Sequence, residues 1–264
     1  MYPYLSVFGL NIPMYGLMMA VAFLLCSVLA FFRTRKRGRI GENLIIIAAM
    51  VLLFALIGGI LFFDLVTYSP EQIGQYIRTG RWDPLLRGGI VFYGALIGGA
   101  IGAFIGSLIA KDDLREYLDI VVPVIPLGHA IGRIGCFCAG CCYGHPTDSP
   151  LGVIYTHPAG GAPAGISLLP LQLIESGVNL VIFGILMLVS SRTVSRYLTT
   201  ILYCILYGTA RFILEFFRYD SIRGMAWGLS TSQWVSLGLI AGALLAGLLY
   251  HFYKKSGRSI KANE

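Results

Sequence analysis

Residues 43–63, NLIIIAAMVLLFALIGGILFF, run for 21 positions without one charged side chain. At about 1.5 Å per residue a helix of that length crosses the roughly 30 Å of hydrocarbon in a bilayer. Six further apolar runs of comparable length occupy approximately residues 13–32, 89–110, 118–137, 169–190, 199–217 and 232–252. Lipid leaves unpaired backbone groups without partners, and no alternating ten-residue pattern recurs, so the runs are expected to be helices and not barrel strands. The expected fold class is therefore all-α: a polytopic membrane protein of about seven transmembrane helices. No linker or internal repeat interrupts the pattern, so residues 1–264 are expected to form a single integral membrane domain.

Composition excludes the main rival class. Of 264 residues 56% are apolar and 12% charged, too much apolar surface for one aqueous core. A net charge of +7 would point to nucleic acid in a soluble protein, but here the basic residues form short runs between apolar segments, where the positive-inside rule accounts for them. With the N-terminus outside, thirteen Lys and Arg fall in inside loops, among them Arg33, Arg35, Lys36, Arg37 and Arg39, and also Arg192 and Arg196. Five fall outside: Arg78, Arg81, Arg87, Arg218 and Arg223. The expected topology is N-terminus outside and C-terminus cytoplasmic. The first run has no basic residue before it and five soon after, the reverse of a secretory signal peptide, so it is expected to stay as the first span.

Two arginines remain inside spans. Arg133 lies about fifteen residues from the cytoplasmic end of its span and Arg211 about twelve, or about 22 and 18 Å deep at 1.5 Å per residue, in the outer half of the bilayer. Each costs a few kcal/mol there unless partnered. Tyr207, Arg211, Glu215 and Arg218 share one helical face, and pairing with Glu215 leaves one arginine of that face in surplus. Arg133 has no carboxylate within a turn on its own helix. It could snorkel to the interface or pair with Glu175 or Asp148. The leading reading is a lipid headgroup site, because a guanidinium fork grips phosphate and an outer-leaflet lipid brings phosphate to this depth.

Six elements in order resemble the prolipoprotein diacylglyceryl transferase family. They are Tyr15-Gly16-Leu17; Gly88-Gly89-Ile90-Val91-Phe92-Tyr93-Gly94; Leu118-Asp119 with Pro126 and Gly132-Arg133-Ile134-Gly135; Pro170-Leu171-Gln172-Leu173-Ile174-Glu175; Tyr207-Gly208-x-x-Arg211 with Glu215, Phe216 and Arg218; and Gly228 with Ser230 and Gln233. The resemblance implies a seven-span bacterial enzyme of the cytoplasmic membrane. Such an enzyme moves a diacylglyceryl group from phosphatidylglycerol to the lipobox cysteine thiol of a prolipoprotein signal peptide and releases glycerol phosphate. It implies Arg133, Arg211 and Tyr93 as catalytic. It implies Arg133, Tyr15, Gly132, Gly135, Gly144, Tyr207, Glu215 and Arg218 as phosphatidylglycerol-binding. No cofactor, metal or nucleic acid enters that expectation.

The chain departs from the family pattern at two places. Tyr93 stands where most members have histidine, and a free phenol, titrating at about 10, is a poor base at neutral pH. His129 and Glu215 are the other candidates for taking the thiol proton. Cysteines replace asparagine and glutamate of the signature that usually follows Gly135 as Asn-Phe-x-Asn-x-Glu-x-x-Gly. Cys136, Cys138, Cys141 and Cys142 admit three readings: compact residues packing a helix terminus, a disulfide, or a soft-metal site, although the spacing is not that of paired C-x-x-C zinc ligands. Cys26 and Cys204 read as core.

Elsewhere the chemistry is thin. Residues 138–168 hold no Lys or Arg and are rich in Pro and Gly, so they read as an irregular outer cap or a plain loop, with His145 and His157 solvated. The glycines of GALIGGAIGAFIG, residues 94–106, read as small-residue helix packing. Rival functions are an anion transporter, a membrane redox or metal protein, and a family member that uses another lipid or acceptor or binds lipid without turnover.

Overall fold

The computed structural model describes residues 3–87, 89–192, 197–219 and 225–261, so Gly88, Arg196 and Arg223 of the sequence reading lie outside the described residues. A hairpin of β1 (Tyr4–Val7) and β2 (Leu10–Pro13) leads into α1 (Met14–Lys36), followed by α2 (Gly41–Thr67). Next come the short α3 (Pro70–Arg78) and α4 (Asp83–Arg87), then α5 (Phe92–Ala110). The α6 helix (Leu114–Val121) continues through a 3₁₀ turn, Val122–Val124, into α7 (Ile125–Ala139). After β3 (Val153–Ile154) and β4 (Ser167–Leu168) the chain forms α8 (Leu171–Arg192), α9 (Leu198–Glu215), the hairpin β5 (Met225–Ala226) and β6 (Leu229–Ser230), and α10 (Thr231–Lys261). Seven helical stretches are long and apolar enough to cross a membrane, as expected: Met14–Lys36, Gly41–Thr67, Tyr93–Ala110, Leu114–Ala139, Leu171–Ser191, Leu198–Glu215 and Thr231–Phe252. The protein is an all-α polytopic membrane protein. Leu and Ile side chains are exposed along the spans, as a lipid-facing surface requires.

The chain divides into two compact units, Leu29–Tyr117 and the combination of Met1–Val28 with Leu118–Glu264. In Leu29–Tyr117 the dominant packing is α2 against α5. Gly58, Gly94, Gly98 and Gly102 face the opposing backbone so closely that a Cβ at any of them would run into a carbonyl oxygen of the other helix. Lipid offers little hydrophobic drive to join helices, so close backbone approach supplies the attraction, as the glycine run implies. At the loop after α5, Asp112 accepts hydrogen bonds from Asn43 Nδ2 (2.9 Å) and the Tyr117 hydroxyl (2.7 Å) and lies 3.8 Å from Arg39. Those hydrogen bonds, and to a lesser degree Arg39, hold its carboxyl below the usual aspartate range.

In the larger unit α7 packs on α8, α8 on α9 and α9 on α10. Both the β1–β2 and β5–β6 hairpins turn on two residues of positive φ, Phe8-Gly9 and Trp227-Gly228, the backbone that a tight type I′ connection demands. Each thereby presents an exposed aromatic at its tip. The Pro/Gly-rich segment between α7 and α8 is more than an undemanding loop. Tyr155, Ala162 and Leu168 form a small buried core flanked by Tyr143, and β3 pairs with β4.

Gly98→Ala is expected to lower thermal stability in detergent by about 1–3 kcal/mol through overpacking. Gly99→Ala, whose Cβ would meet nothing closer than 3.7 Å, should be close to neutral in the same unfolding measurement. Because the Asp112 pKa is depressed by folding, its stabilisation is present above the unfolded value of about 3.9 and lost as the pH falls through the lower folded value. The difference in thermal midpoint between wild type and Asp112→Ala should therefore be steady above about pH 5 and shrink as the pH falls below about 4.

Candidate active site

The two intramembrane arginines meet on one carboxylate. Glu175, in the first turns of α8, forms an ion pair through Oε2 with Arg133 Nε of α7 and accepts Arg211 Nη1 of α9 on Oε1 at 3.0 Å. Arg211 Nη2 is 2.6 Å from Glu215 Oε2, one turn along α9, and donates to Ser232 Oγ at 3.2 Å. Glu215 Oε2 also lies 3.9 Å from Arg218 Nε, and Glu215 Oε1 accepts from Ser230 Oγ at 2.9 Å. Ser230 and Gln233 form a capping box at the start of α10, with Gln233 Oε1 accepting from Ser230 N at 2.9 Å and Ser230 Oγ accepting from Gln233 N at 3.2 Å. One serine thus closes the helix end and anchors the carboxylate.

The surplus arginine of the α9 face is matched from α8. Of the partners weighed for Arg133, the structure selects Glu175. Glu175 is absent from the expected site residues, yet it links three helices. Its signals in the sequence are its candidacy as a partner of Arg133 and its place in the Pro170–Glu175 element. The network holds three guanidiniums against two carboxylates among the described residues. Arg133 has the most open side chain of the set, 21% exposed against 10% for Arg211 and 4% for Arg218.

The other expected residues sort by position. Tyr207 stacks near His129, ring centroids 5.0 Å apart, and Tyr203, whose hydroxyl lies 3.3 Å from His129 Nδ1, completes an aromatic trio. Gly132 and Gly135 are buried against α1, where Cβ atoms would meet Met19 Sδ at 3.3 Å and Met18 Cβ at 3.0 Å. Gly144 donates its N–H to the Leu169 carbonyl at 3.0 Å, and a Cβ there would press on Leu169 and the Phe217 carbonyl. Tyr15 lines a cavity of about 290 Å³ together with Tyr4, Pro13, Ala139, Cys141 and Gly160. Tyr93 belongs to the other unit, in the first turn of α5. His145 and His157 are exposed, in keeping with the sequence reading.

Three of the four clustered cysteines converge. The Sγ atoms of Cys136, Cys141 and Cys142 all lie within 4.8 Å of one another, and Cys138 is not part of the group. Gly140 makes the meeting possible. In the left-handed region at φ 75° it ends α7, with its own N–H and that of Cys141 returning to the Cys136 carbonyl at 3.0 and 3.1 Å. Gln172 Nε2, fully buried on α8, fixes the Cys141 carbonyl at 2.6 Å and the Tyr155 hydroxyl at 3.0 Å. Hydrogen bonds from Cys136 and Cys141, and then the Arg218 and Arg133 charges, push the Cys142 thiol below its ordinary range.

If the Glu175 bridge is one electrostatic unit, Glu175→Ala should cost about 3 kcal/mol or more, since it strands buried guanidiniums. Arg133→Ala and Glu175→Ala should then be non-additive by about 1–3 kcal/mol in a double-mutant cycle of thermal unfolding. Additive losses would show that the bridge contributes nothing as a pair.

The family described as prolipoprotein diacylglyceryl transferase matches residues 3–249 of the chain. A relative named phosphatidylglycerol--prolipoprotein diacylglyceryl transferase 2, from Clostridium perfringens, is 34% identical over 259 residues, covering 96% of this chain and 95% of the relative. Proteins named phosphatidylglycerol--prolipoprotein diacylglyceryl transferase from Clostridium tetani and Dehalococcoides mccartyi are 37% and 33% identical, over 88% and 90% of this chain and 90% and 89% of their own lengths. A match that covers six spans and most of the seventh, together with the arginine network between α7 and α10, places the chain in a single group: it belongs to the prolipoprotein diacylglyceryl transferase family.

Proposed function

We propose that the chain transfers a diacylglyceryl group from phosphatidylglycerol to the lipobox cysteine thiol of prolipoprotein signal peptides, releasing glycerol phosphate. The enzyme works in the bacterial cytoplasmic membrane with its N-terminus outside and its C-terminus cytoplasmic. The observation that carries this reading is the gathering of three guanidiniums, Arg133, Arg211 and Arg218, around Glu175 and Glu215, most accessible at Arg133. A phosphodiester has the charge and the acceptor geometry that such a cluster of guanidiniums binds.

In the reaction the acceptor sulfur, as thiolate, attacks the glyceryl carbon next to the phosphate oxygen. The sulfur–carbon bond forms as the carbon–oxygen bond breaks, and the electron pair leaves with glycerol phosphate. Arg133 meets the growing negative charge in a site with little water, where preorganised charge has its greatest effect. Arg211 has both terminal nitrogens engaged with Glu175, Glu215 and Ser232, so it acts as a positioning residue that fixes Glu175 and, through it, Arg133. Tyr15 and Tyr207 border the headgroup, while Gly132, Gly135 and Gly144 let the surrounding helices and cap close around it.

Expression in a strain depleted of its own diacylglyceryl transferase, with growth and the mobility of a lipobox reporter as readouts, tests the reading. Wild type is expected to rescue, and Arg133→Ala to lower transfer by about 100-fold or more, the usual cost of removing a group that stabilises developing charge. Failure of a membrane-inserted wild-type protein to modify the reporter would refute it.

A further inference from the structure

The three converging thiols have no part in the chemistry above, and they sit beside it. Cys136 stands three positions after Arg133, on the same side of α7, and is buried at 8% exposure. Cys141 lines the cavity that Tyr15 also lines, so the trio reaches a space large enough to admit a small group.

We propose that Cys136, Cys141 and Cys142 form a zinc(II) site whose open fourth position takes the acceptor thiol. This role rests on the transferase reading. Three protein ligands with one exchangeable position are the pattern of catalytic zinc, whereas structural zinc closes all four. With zinc–sulfur bonds of about 2.3 Å, the three sulfurs of a tetrahedral site stand about 3.8 Å apart. The observed spread of up to 4.8 Å therefore needs a contraction of about 1 Å, within reach of side-chain rotation. Zinc with three thiolates carries one negative charge, and the Arg133 guanidinium stands three positions before Cys136 on the same side of α7.

The chemistry answers the loss of histidine at Tyr93. The acceptor thiol displaces water from zinc and gives its proton to solvent, because a coordinating thiol is deprotonated outright. The zinc-bound thiolate then attacks the glyceryl carbon. Sulfur–carbon bond formation and carbon–oxygen bond cleavage proceed as above, the thioether leaves zinc, and water returns. No electron changes hands between metal and substrate. The thiolate is supplied by the metal, so the position of Tyr93 need not hold a base.

The test uses the full chain, purified in detergent with reductant, stripped with chelator and titrated with zinc(II) alone. One zinc per chain is expected by elemental analysis. Cobalt(II) in its place should give thiolate-to-metal charge-transfer absorption in the wild-type protein. Cys136→Ser, Cys141→Ser and Cys142→Ser should each weaken zinc binding by about 100-fold or more, at least the loss that outer partners of a metal site cause. Cys138→Ser and Cys204→Ser should bind as wild type. Transfer to a lipobox peptide from phosphatidylglycerol vesicles should fall on chelation and return with zinc. Absence of stoichiometric zinc, zinc binding indifferent to Cys142→Ser, or a disulfide within the trio in protein isolated without reductant would overturn the site. A stripped protein as active as the loaded one would overturn its role while leaving the transferase reading intact. Zinc bound at the trio with no transfer in either form would keep the site and refute the transferase reading.

Discussion

A carboxylate shared by two guanidiniums inside an apolar bundle is the constraint around which the larger unit is arranged. Glu175 takes Arg133 from α7 on one oxygen and Arg211 from α9 on the other. A lone charge at that depth is costly, and an ion pair offsets the cost only when its remaining hydrogen-bonding groups are satisfied. The neighbouring polar groups meet part of that demand: Ser232 and Glu215 on Arg211, Ser230 on Glu215, and the capping box that holds Ser230 in place, while Glu175 Oε2 and Glu215 Oε2 rely on charge pairing without a hydrogen bond. Helices α7, α8, α9 and α10 are thereby tied through side chains whose alternative partner would be hydrocarbon. Arg133 keeps the most open side chain of the three arginines, so the residue that ties α7 to α8 is also the one that other groups can reach most easily.

The two units are held by different physics. In Leu29–Tyr117 the α2 and α5 helices approach through Gly58, Gly94, Gly98 and Gly102, with backbone facing backbone. Dispersion between closely packed helices supplies the attraction, and no titratable group is required at the contact. In the larger unit, ion pairs and hydrogen bonds cross between α7, α8, α9 and α10. Only this second arrangement gathers guanidiniums at the contact, which is why the anionic-lipid reading attaches to it.

What can be read from sequence follows from how local each signal is. Seven spans are legible because an apolar run is a local pattern, and so are Arg133 and Arg211, because a charge inside such a run stands out. Glu175 as their common partner is one of two sequence candidates for Arg133 and cannot be selected there, since which faces of α7, α8 and α9 meet is a property of packing at separations of more than thirty residues. The glycines before and after Arg133 are legible as sites of close approach, but the partner, α1, is not. The cap looks shapeless in sequence because its order comes from Tyr155 and Leu168 meeting across a loop, a contact with no periodic trace.

The cysteines show the same limit at shorter range. Along an ideal helix at about 100° per residue, Cys138 points about 200° away from Cys136, so a continuous α7 would scatter the cluster. Gly140 breaks the helix in the left-handed conformation, and Cys142 itself takes φ 60°, so the chain doubles back and sets Cys141 and Cys142 beside Cys136 while Cys138 stays out. Convergence therefore depends on the conformation of two residues and not on the spacing of thiols. A left-handed backbone at Cys142 is uncommon for a residue with a side chain. The fold holds it there where Arg133 and Arg218 act on the thiol, so the local strain and the electropositive setting fall at the same residue.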